Sequence, residues 1–449
     1  MKKLGYITML SLFTFLGACS DNSENSSSDG NGDSNTNSGN EDATVNEENE
    51  GEETVVGGES AEVELSFWLF GATGYPELAK EYMEENPEIS ITFQEIEMED
   101  HHNNLFTALS AGSGAPDMAA VEVSEMGRYQ DAQDRFHNLY DLGAKEIKGD
   151  YLEWVWEIGE NVDGDFLFGI PTDIGPTVMF YRSDVFEEAG LPSEPEDVEA
   201  LIQTWDDFEE AAATILEETG VPMVDNPELM FNALRDQQPQ QYFDENDELI
   251  IESTSDTKES FMKNADFIEK GYVGSMELWS PEWGAGMAEG NYATLLAPAW
   301  MQGQIKDNAP DATEWRIATL PEGAGNWGGS WITIPAESEH AEEAYDFLTW
   351  LLSPEGQLKA FENMGLFPSA PEVYEMEEFV NYTDDYFGGQ HTAEIFAEAA
   401  LQVEHVYKGE HYPAVNQEIQ DGLYNVQEGV DKEEEWADIL ERVDQRISR

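Results

Sequence analysis

The chain has 449 residues, with 96 Asp and Glu against 20 Lys and Arg, so its formal net charge is −76. That balance excludes a nucleic-acid binder, because phosphate recognition runs on clustered Lys and Arg and on counterion release. With 40% apolar and 11% aromatic residues, 12 of them Trp, the chain has too many core-forming groups to be an acidic disordered polymer throughout. Its length suits two or three domains, or one protein with two lobes. A single Cys forbids an intrachain disulfide and argues against a Cys/His zinc cluster.

Residues 1–19 read as a secretory signal: Lys2 and Lys3 supply the positive start, and Leu4–Leu16 is an apolar stretch too short to span a bilayer comfortably. The segment ends in Leu16-Gly17-Ala18-Cys19, which resembles a bacterial lipobox and implies lipidation at Cys19. Residues 20–60 hold 12 acidic and no basic residues in a Ser/Asn/Asp/Gly context that turns Glu-rich. With almost nothing to bury, they are expected to form a disordered tether. The remaining 61–449 carry 84 acids and 18 bases, a net −66. Such a body repels itself at low ionic strength, and its acidity points to a saline or alkaline external medium.

Within the body, Val63–Phe70 and Ile89–Ile96 alternate apolar and polar residues, and Pro76–Glu85 between them has helical spacing. The helical stretch His102–Ser110 then leads through a Gly/Pro turn into the apolar run Asp117–Val123. Tyr292–Leu296, Arg316–Leu320 and Trp331–Pro335 read as further strands, the last followed by an amphipathic helix at Ala341–Leu352. Strands alternating with helices predict a parallel-sheet α/β architecture. No repeat of solenoid or propeller period is visible.

Ala108–Met118, Gly169–Leu191, Thr204–Phe208, Ala297–Trp300, Gly328–Trp331 and Gly365–Ser369 then resemble, in order and spacing, the motifs of the family 1 extracellular solute-binding proteins. These maltose-binding-protein-like receptors serve carbohydrate ABC importers. The resemblance implies a class II periplasmic-binding-protein-like fold of two α/β lobes with hinge crossovers near Thr172–Thr177, Gly328–Trp331 and Asn363–Phe367. It divides the chain into lobe 1 (61–174 plus 330–363) and lobe 2 (175–329 plus 364–449). The first two crossings are also Gly/Pro-containing and adjoin strand-like runs, where a hinge can absorb dihedral change.

Sugars present aliphatic ring faces and many hydroxyls, so aromatic platforms and carboxylates are the groups to look for. Trp300, Trp331 and Trp327 lie beside turns that the resemblance places at the cleft, and Phe70 ends a strand, where ligands of α/β folds gather. Asp173, in the hinge turn Ile170–Asp173, is the foremost carboxylate, followed by Glu122 and Glu125 after the Pro-Asp strand. Trp68 reads as core, Asp117 as a turn residue, and Arg182 as a local partner of Asp184. The pair His101–His102 has no i, i+4 partner for a metal, and no nucleophile-elbow or phosphate-loop motif occurs.

These readings converge on a lipid-anchored, monomeric, extracytoplasmic receptor without cofactor or metal. It binds a mono- or oligosaccharide and hands it to membrane permease subunits. A receptor of the same fold for a cationic ligand such as a polyamine, held by carboxylates and an aromatic cage, is the alternative. A secreted polysaccharide-degrading enzyme ranks below it, since two carboxylates suffice for that chemistry but no eight-fold βα pattern is present. Salt dependence separates the first two, being steep for a cation and nearly flat for a neutral sugar; product release from oligosaccharides would reveal the third.

Overall fold

The computed structural model describes residues 52–58 and 61–448. The signal segment, Cys19 and most of the tether lie outside the described residues. Ten strands occur among them: β1 (Glu52–Gly57), β2 (Val63–Phe70), β3 (Ile89–Ile96), β4 (Met118–Glu122), β5 (Gly169–Pro176), β6 (Val178–Arg182), β7 (Thr294–Ala297), β8 (Trp315–Ala318), β9 (Asn326–Thr333) and β10 (Phe367–Pro368). They form a seven-stranded sheet in the order β1-β3-β2-β4-β9-β5-β10 and a three-stranded sheet in the order β7-β6-β8. Each sheet is the centre of one lobe.

The alternation in β2 and β3 has a direct cause. Leu65, Phe67 and Leu69 pack with Ile89, Ile91 and Phe93 beneath the helices Tyr75–Glu85 and Ala341–Leu351. The helix Met98–Ala111 covers the opposite face through Leu105 and Leu109. In β4, Met118 and Ala120 face the first layer while Ala119 and Val121 face the second, so the strand is apolar on both sides. Asp117 ties the start of β4 to β2: one carboxylate oxygen accepts the Ser66 N–H and hydroxyl, both at 2.8 Å, and the other the Ser338 hydroxyl at 2.6 Å.

Two expectations need correction. The parallel pattern holds only for β2 with β3 and β4; β1, β9, β5 and β10 join antiparallel, and the small sheet is antiparallel throughout. β9 follows the passage through the small sheet and runs against both β4 and β5, whereas β1 precedes that passage and pairs against the other edge. The tether also ends earlier than expected, because residues 52–57 form β1 against β3, with Val55 opposite Thr92 and Val56, 5% exposed, opposite Ile91. Thr54, Val55 and Val56 are β-branched and find an open sheet edge, which a reading of local composition overlooks.

In lobe 2 the helix Trp205–Thr219 starts in a capping box: the Thr204 side chain accepts the Asp207 N–H and the Asp207 carboxylate accepts the Thr204 N–H. Arg182 closes on Asp184 through two hydrogen bonds of 2.8 and 2.6 Å and donates a third to the Met287 carbonyl at 3.0 Å. The chain leaves the large sheet at Pro176 and enters the small one at Val178, with Thr177 alone between them. A continuous apolar core runs beneath this junction, joining Val121, Ile174 and Trp331 to Phe180, Leu295 and Ile317.

Among the described residues the buried acids are Glu160, Asp225, Asp236, Asp384 and Glu435. Each faces a donor: Lys148, Trp283, Arg235, Lys306 and Arg442 respectively. Nearly all the rest of the negative charge is therefore on the surface, where it repels itself and is screened by salt. The melting temperature is expected to rise as NaCl is raised from low to molar concentration, followed by circular dichroism. An unchanged or falling value would show that surface repulsion is not a significant cost.

Candidate functional site

On the lobe 1 side, β4 ends at Glu122 and the chain turns into a single 3-10 turn at Met126–Tyr129. The Glu122 carboxylate accepts the Ser124 N–H at 2.7 Å and the Ser124 hydroxyl. Burial pushes this carboxyl upward, while Ser124 and the charge of Lys408 act to lower it. Glu125 pairs with Arg128 at 2.7 Å, and the Arg128 guanidinium lies 4.5 Å from the Phe106 ring centroid.

Phe70, at the end of β2, packs against His101 and His102 with centroids 5.2 and 5.1 Å away. His101 Nε2 faces the Ala120 carbonyl at 2.7 Å, and His102 Nδ1 faces the Met98 carbonyl at 2.8 Å. Those nitrogens must carry the protons, which leaves His102 Nε2 to accept the Glu122 N–H at 3.1 Å. Burial holds both imidazoles down to about 4, so the pair is neutral and structural around pH 7. Among the described residues no group of three or more His, Cys, Asp or Glu side chains is arranged to hold a metal.

On the lobe 2 side, the segment His405–Lys408 and Glu245 face Val123–Gln130 and Asn161 across a groove of about 300 Å³. The lobes meet closely there: a Cβ on Gly127 would come within 2.0 Å of the Lys408 carbonyl oxygen, so only glycine fits. Lys408 Nζ lies 3.2 Å from the Tyr412 hydroxyl and 4.4 Å from its ring centroid. Burial pulls this ammonium down to about 8, against the opposing charges of Asp236 and Glu122. Arg235 and Asp236 form a buried two-bond pair, at 2.8 and 2.9 Å.

A row of aromatic rings runs from the start of β9. Trp327, near the start of β9, lies 5.1 Å centroid to centroid from Trp300, which precedes the helix Met301–Asn308. Trp300 stacks on Trp279 at 5.9 Å and 26°. Trp279 in turn meets Trp283 edge-on at 5.2 Å. The Trp283 indole N–H donates to Asp225 at 2.7 Å; burial pushes that carboxyl up to about 7, against the effect of this bond. The row and the groove join at two glycines. The Gly329 carbonyl accepts the Val123 N–H at 3.0 Å, and a Cβ on Gly328 would lie 3.7 Å from Trp300 Nε1.

Of the residues expected at the site, Trp300, Trp327, Glu122 and Glu125 thus lie on connected backbone, and Phe70 lies one side chain away from Glu122. Asp173 lines a separate small pocket of lobe 1 with Tyr75, Gln357, Leu366 and Pro368. Its carboxylate accepts the Thr172 hydroxyl at 2.6 Å, and burial pushes it upward. Trp331 is a correction: it is fully buried, its indole N–H donates to the Val155 carbonyl at 3.1 Å, and its ring occupies space left by Gly159 and Gly169. Gly328 and Gly329 have φ of 93° and 106°; Trp331 beyond them is sealed in the core, whereas Trp327 before them packs against that core only in part. Sequence reasoning missed Trp279, Arg235, Asp236 and Lys408. Only Lys408 carried a signal, as a rare cation flanked by Tyr407 and Tyr412.

Two α/β lobes joined by strand crossovers, with polar side chains and tryptophans near their junction, define a two-lobed fold of the kind that closes on a ligand. Comparison places the chain within a family: residues 71–358 match the bacterial extracellular solute-binding proteins, and the chain belongs to them. It is 28% identical over 400 residues to the arabinooligosaccharide-binding protein of Halalkalibacterium halodurans, covering 83% of this chain and 87% of that one. It is 26% identical over 377 residues to the lactose-binding protein of Rhizobium radiobacter, covering 79% and 83%. A solved extracellular solute-binding protein of family 1 superposes with a TM-score of 0.81 at 32% identity, covering 85% of this chain and 99% of that one. In fold the chain also resembles the binding protein of B. animalis subsp. lactis solved with β-1,6-galactobiose, with a TM-score of 0.69 at 24% identity over 85% and 97% of the two chains.

The Lys408 geometry sets a pH dependence. Its ammonium titrates at about 8 in the fold against 10.5 when unperturbed, so the unfolded chain binds more protons between those values and the group destabilises the fold fully below pH 8. Lys408→Met should raise the unfolding free energy at pH 7 by up to about 3 kcal/mol, since each tenfold loss of proton affinity on folding costs about 1.4 kcal/mol. The gain should shrink as pH rises from 8 toward 10.5. Urea denaturation across that range checks it; a variant less stable than wild type at pH 7 contradicts the sign.

Proposed function

We propose that this protein is the receptor of a carbohydrate ABC importer and that it holds a saccharide between its lobes. The observation that carries the reading is the tryptophan pair Trp327–Trp300, tied through Gly329 to Val123 of the groove that Lys408 lines and that Glu122 and Glu125 flank. Indole faces suit the aliphatic faces of sugar rings, and the charged and amide groups suit their hydroxyls. The relatives named for arabino-oligosaccharide and lactose support a saccharide as the ligand class. Trp300, Trp327, Glu122 and Glu125 form the proposed contact set, with Phe70 at its lobe 1 margin and Asp173 in a separate pocket.

The mechanism is capture and closure without catalysis. A ligand that touches both lobes only when they are closed favours the closed form by the difference in its affinity for the two forms. The closed form then presents both lobes to membrane permease subunits. Hinge motion would be taken up where β5 passes into β6 and where the chain enters β9. The receptor acts as a monomer on the outer face of the membrane, anchored through lipid on Cys19.

Titration calorimetry with arabino-oligosaccharides and galactosides, paired with small-angle scattering, should show binding coupled to compaction. Trp300→Ala should weaken that binding by about tenfold or more, in line with the energy of one aromatic contact plus its buried area. A protein that binds no saccharide but binds a polyamine in a steeply salt-dependent way would overturn the proposal. For the anchor, Cys19→Ser in cells should shift the protein from the membrane fraction to the medium. Retention of the variant at the membrane would rule out lipid on Cys19 as the anchor.

A further inference from the structure

Trp279 has a backbone φ of 65°, in the left-handed region that a bulky side chain occupies only at a cost, and it is 56% exposed. Its position is held from both sides. Leu278 before it is 9% exposed, and Ser280 after it caps the helix Pro281–Glu289, its hydroxyl accepting the Trp283 N–H at 3.2 Å. The ring is pinned as well, stacked on Trp300 on one side and met by Trp283, itself bonded to Asp225, on another. A strained backbone and two neighbouring indoles thus present a tryptophan whose larger part faces solvent. Burial does not repay that strain, as more than half of the residue's surface stays wet in the folded chain. A glycine would take the turn without strain and an asparagine with little.

Resting on the saccharide reading above, we propose that Trp279 is a specificity-determining contact that extends the binding site beyond Trp300, taking an outlying ring of an oligosaccharide. Trp327, Trp300 and Trp279 succeed one another in a single row, so a ligand seated at the first two reaches the third only if it is longer. Trp279 therefore sets preference by chain length, and the short end of the ligand is bound without it.

The test uses the mature protein and two length series, arabino-oligosaccharides and β-galacto-oligosaccharides from dimer to hexamer, measured by calorimetry with Trp279→Gly and Trp279→Asn. Both variants should bind the longest oligomers about tenfold more weakly while binding the dimer within about twofold of wild type. Trp279→Gly should also melt at a higher temperature than wild type, a signature of relieved strain that a packing role would not give. Unchanged affinity at every length in both variants overturns the inference alone. An equal loss at every length also overturns it, since Trp279 would then belong to the central contact. A wild type that binds neither series brings down the saccharide reading and this inference together.

Discussion

The close passage of β5 against β9 at the junction of the lobes is the constraint on which the remainder of the molecule depends. A Cβ on Gly175 would lie 1.8 Å from the Trp327 carbonyl oxygen, so the strands can approach only because residue 175 is glycine. Asn326 locks the passage: its side-chain oxygen accepts the Gly175 N–H, and its amide donates to the Gly328 carbonyl, both at 2.8 Å. One residue further on, the Thr177 N–H donates to the Gly325 carbonyl at 3.0 Å. These contacts hold together the two points at which the chain passes between sheets. They also set Gly328 under Trp300. On the other side, Gly325 leaves room for Asp236, toward which its Cβ would come within 2.5 Å, so the same passage positions the Arg235–Asp236 pair.

Charge plays two separate parts. The surface acids are nearly all solvated and set how the protein responds to salt. The few buried acids each have a donor, because an unpaired buried carboxylate costs far more than an exposed one. The groove differs from both, since Lys408 and Arg235 bring cations to the junction of a body with a net charge of −66. Burial outweighs the pull of Asp236 and Glu122 on Lys408, which is why its ammonium is held down. A net charge of this size therefore resides mainly on the surface and says little about the ligand.

Tryptophan serves in both kinds of place, and composition does not distinguish them. Trp331 is sealed in the core, where removal would cost about 3–5 kcal/mol. Trp279, stacked on Trp300, is left mostly in water. What separates the two is backbone direction, inverted at Gly328–Gly329 for one and at Trp279 itself for the other.

The sequence by itself determined the elements whose packing is local or strictly periodic. β2 and β3 are legible because one face of each is buried and the other is not, so alternation survives in the residue order. The helix start at Thr204–Phe208 is legible because capping acts over a few residues, whereas Asp117, read as a turn residue, bonds Ser66 and Ser338 far along the chain. Family membership followed from short motifs such as Gly169–Leu191, in which the crossing between sheets is written as Gly and Pro. Only the tertiary structure decided the remainder. β1 became a strand because a distant edge, β3, was free to pair, and β9 lies antiparallel between β4 and β5 because the chain returns to the large sheet after passing through the small one. The proposed site draws on Phe70, Glu122, Glu125, Trp300 and Trp327, far apart in the chain, and adjacency across such distances leaves no local pattern. Trp331 and Trp327 look alike in sequence, and only the fold seals the first in the core while leaving the second partly exposed, on either side of two left-handed glycines whose conformation no neighbouring residue announces.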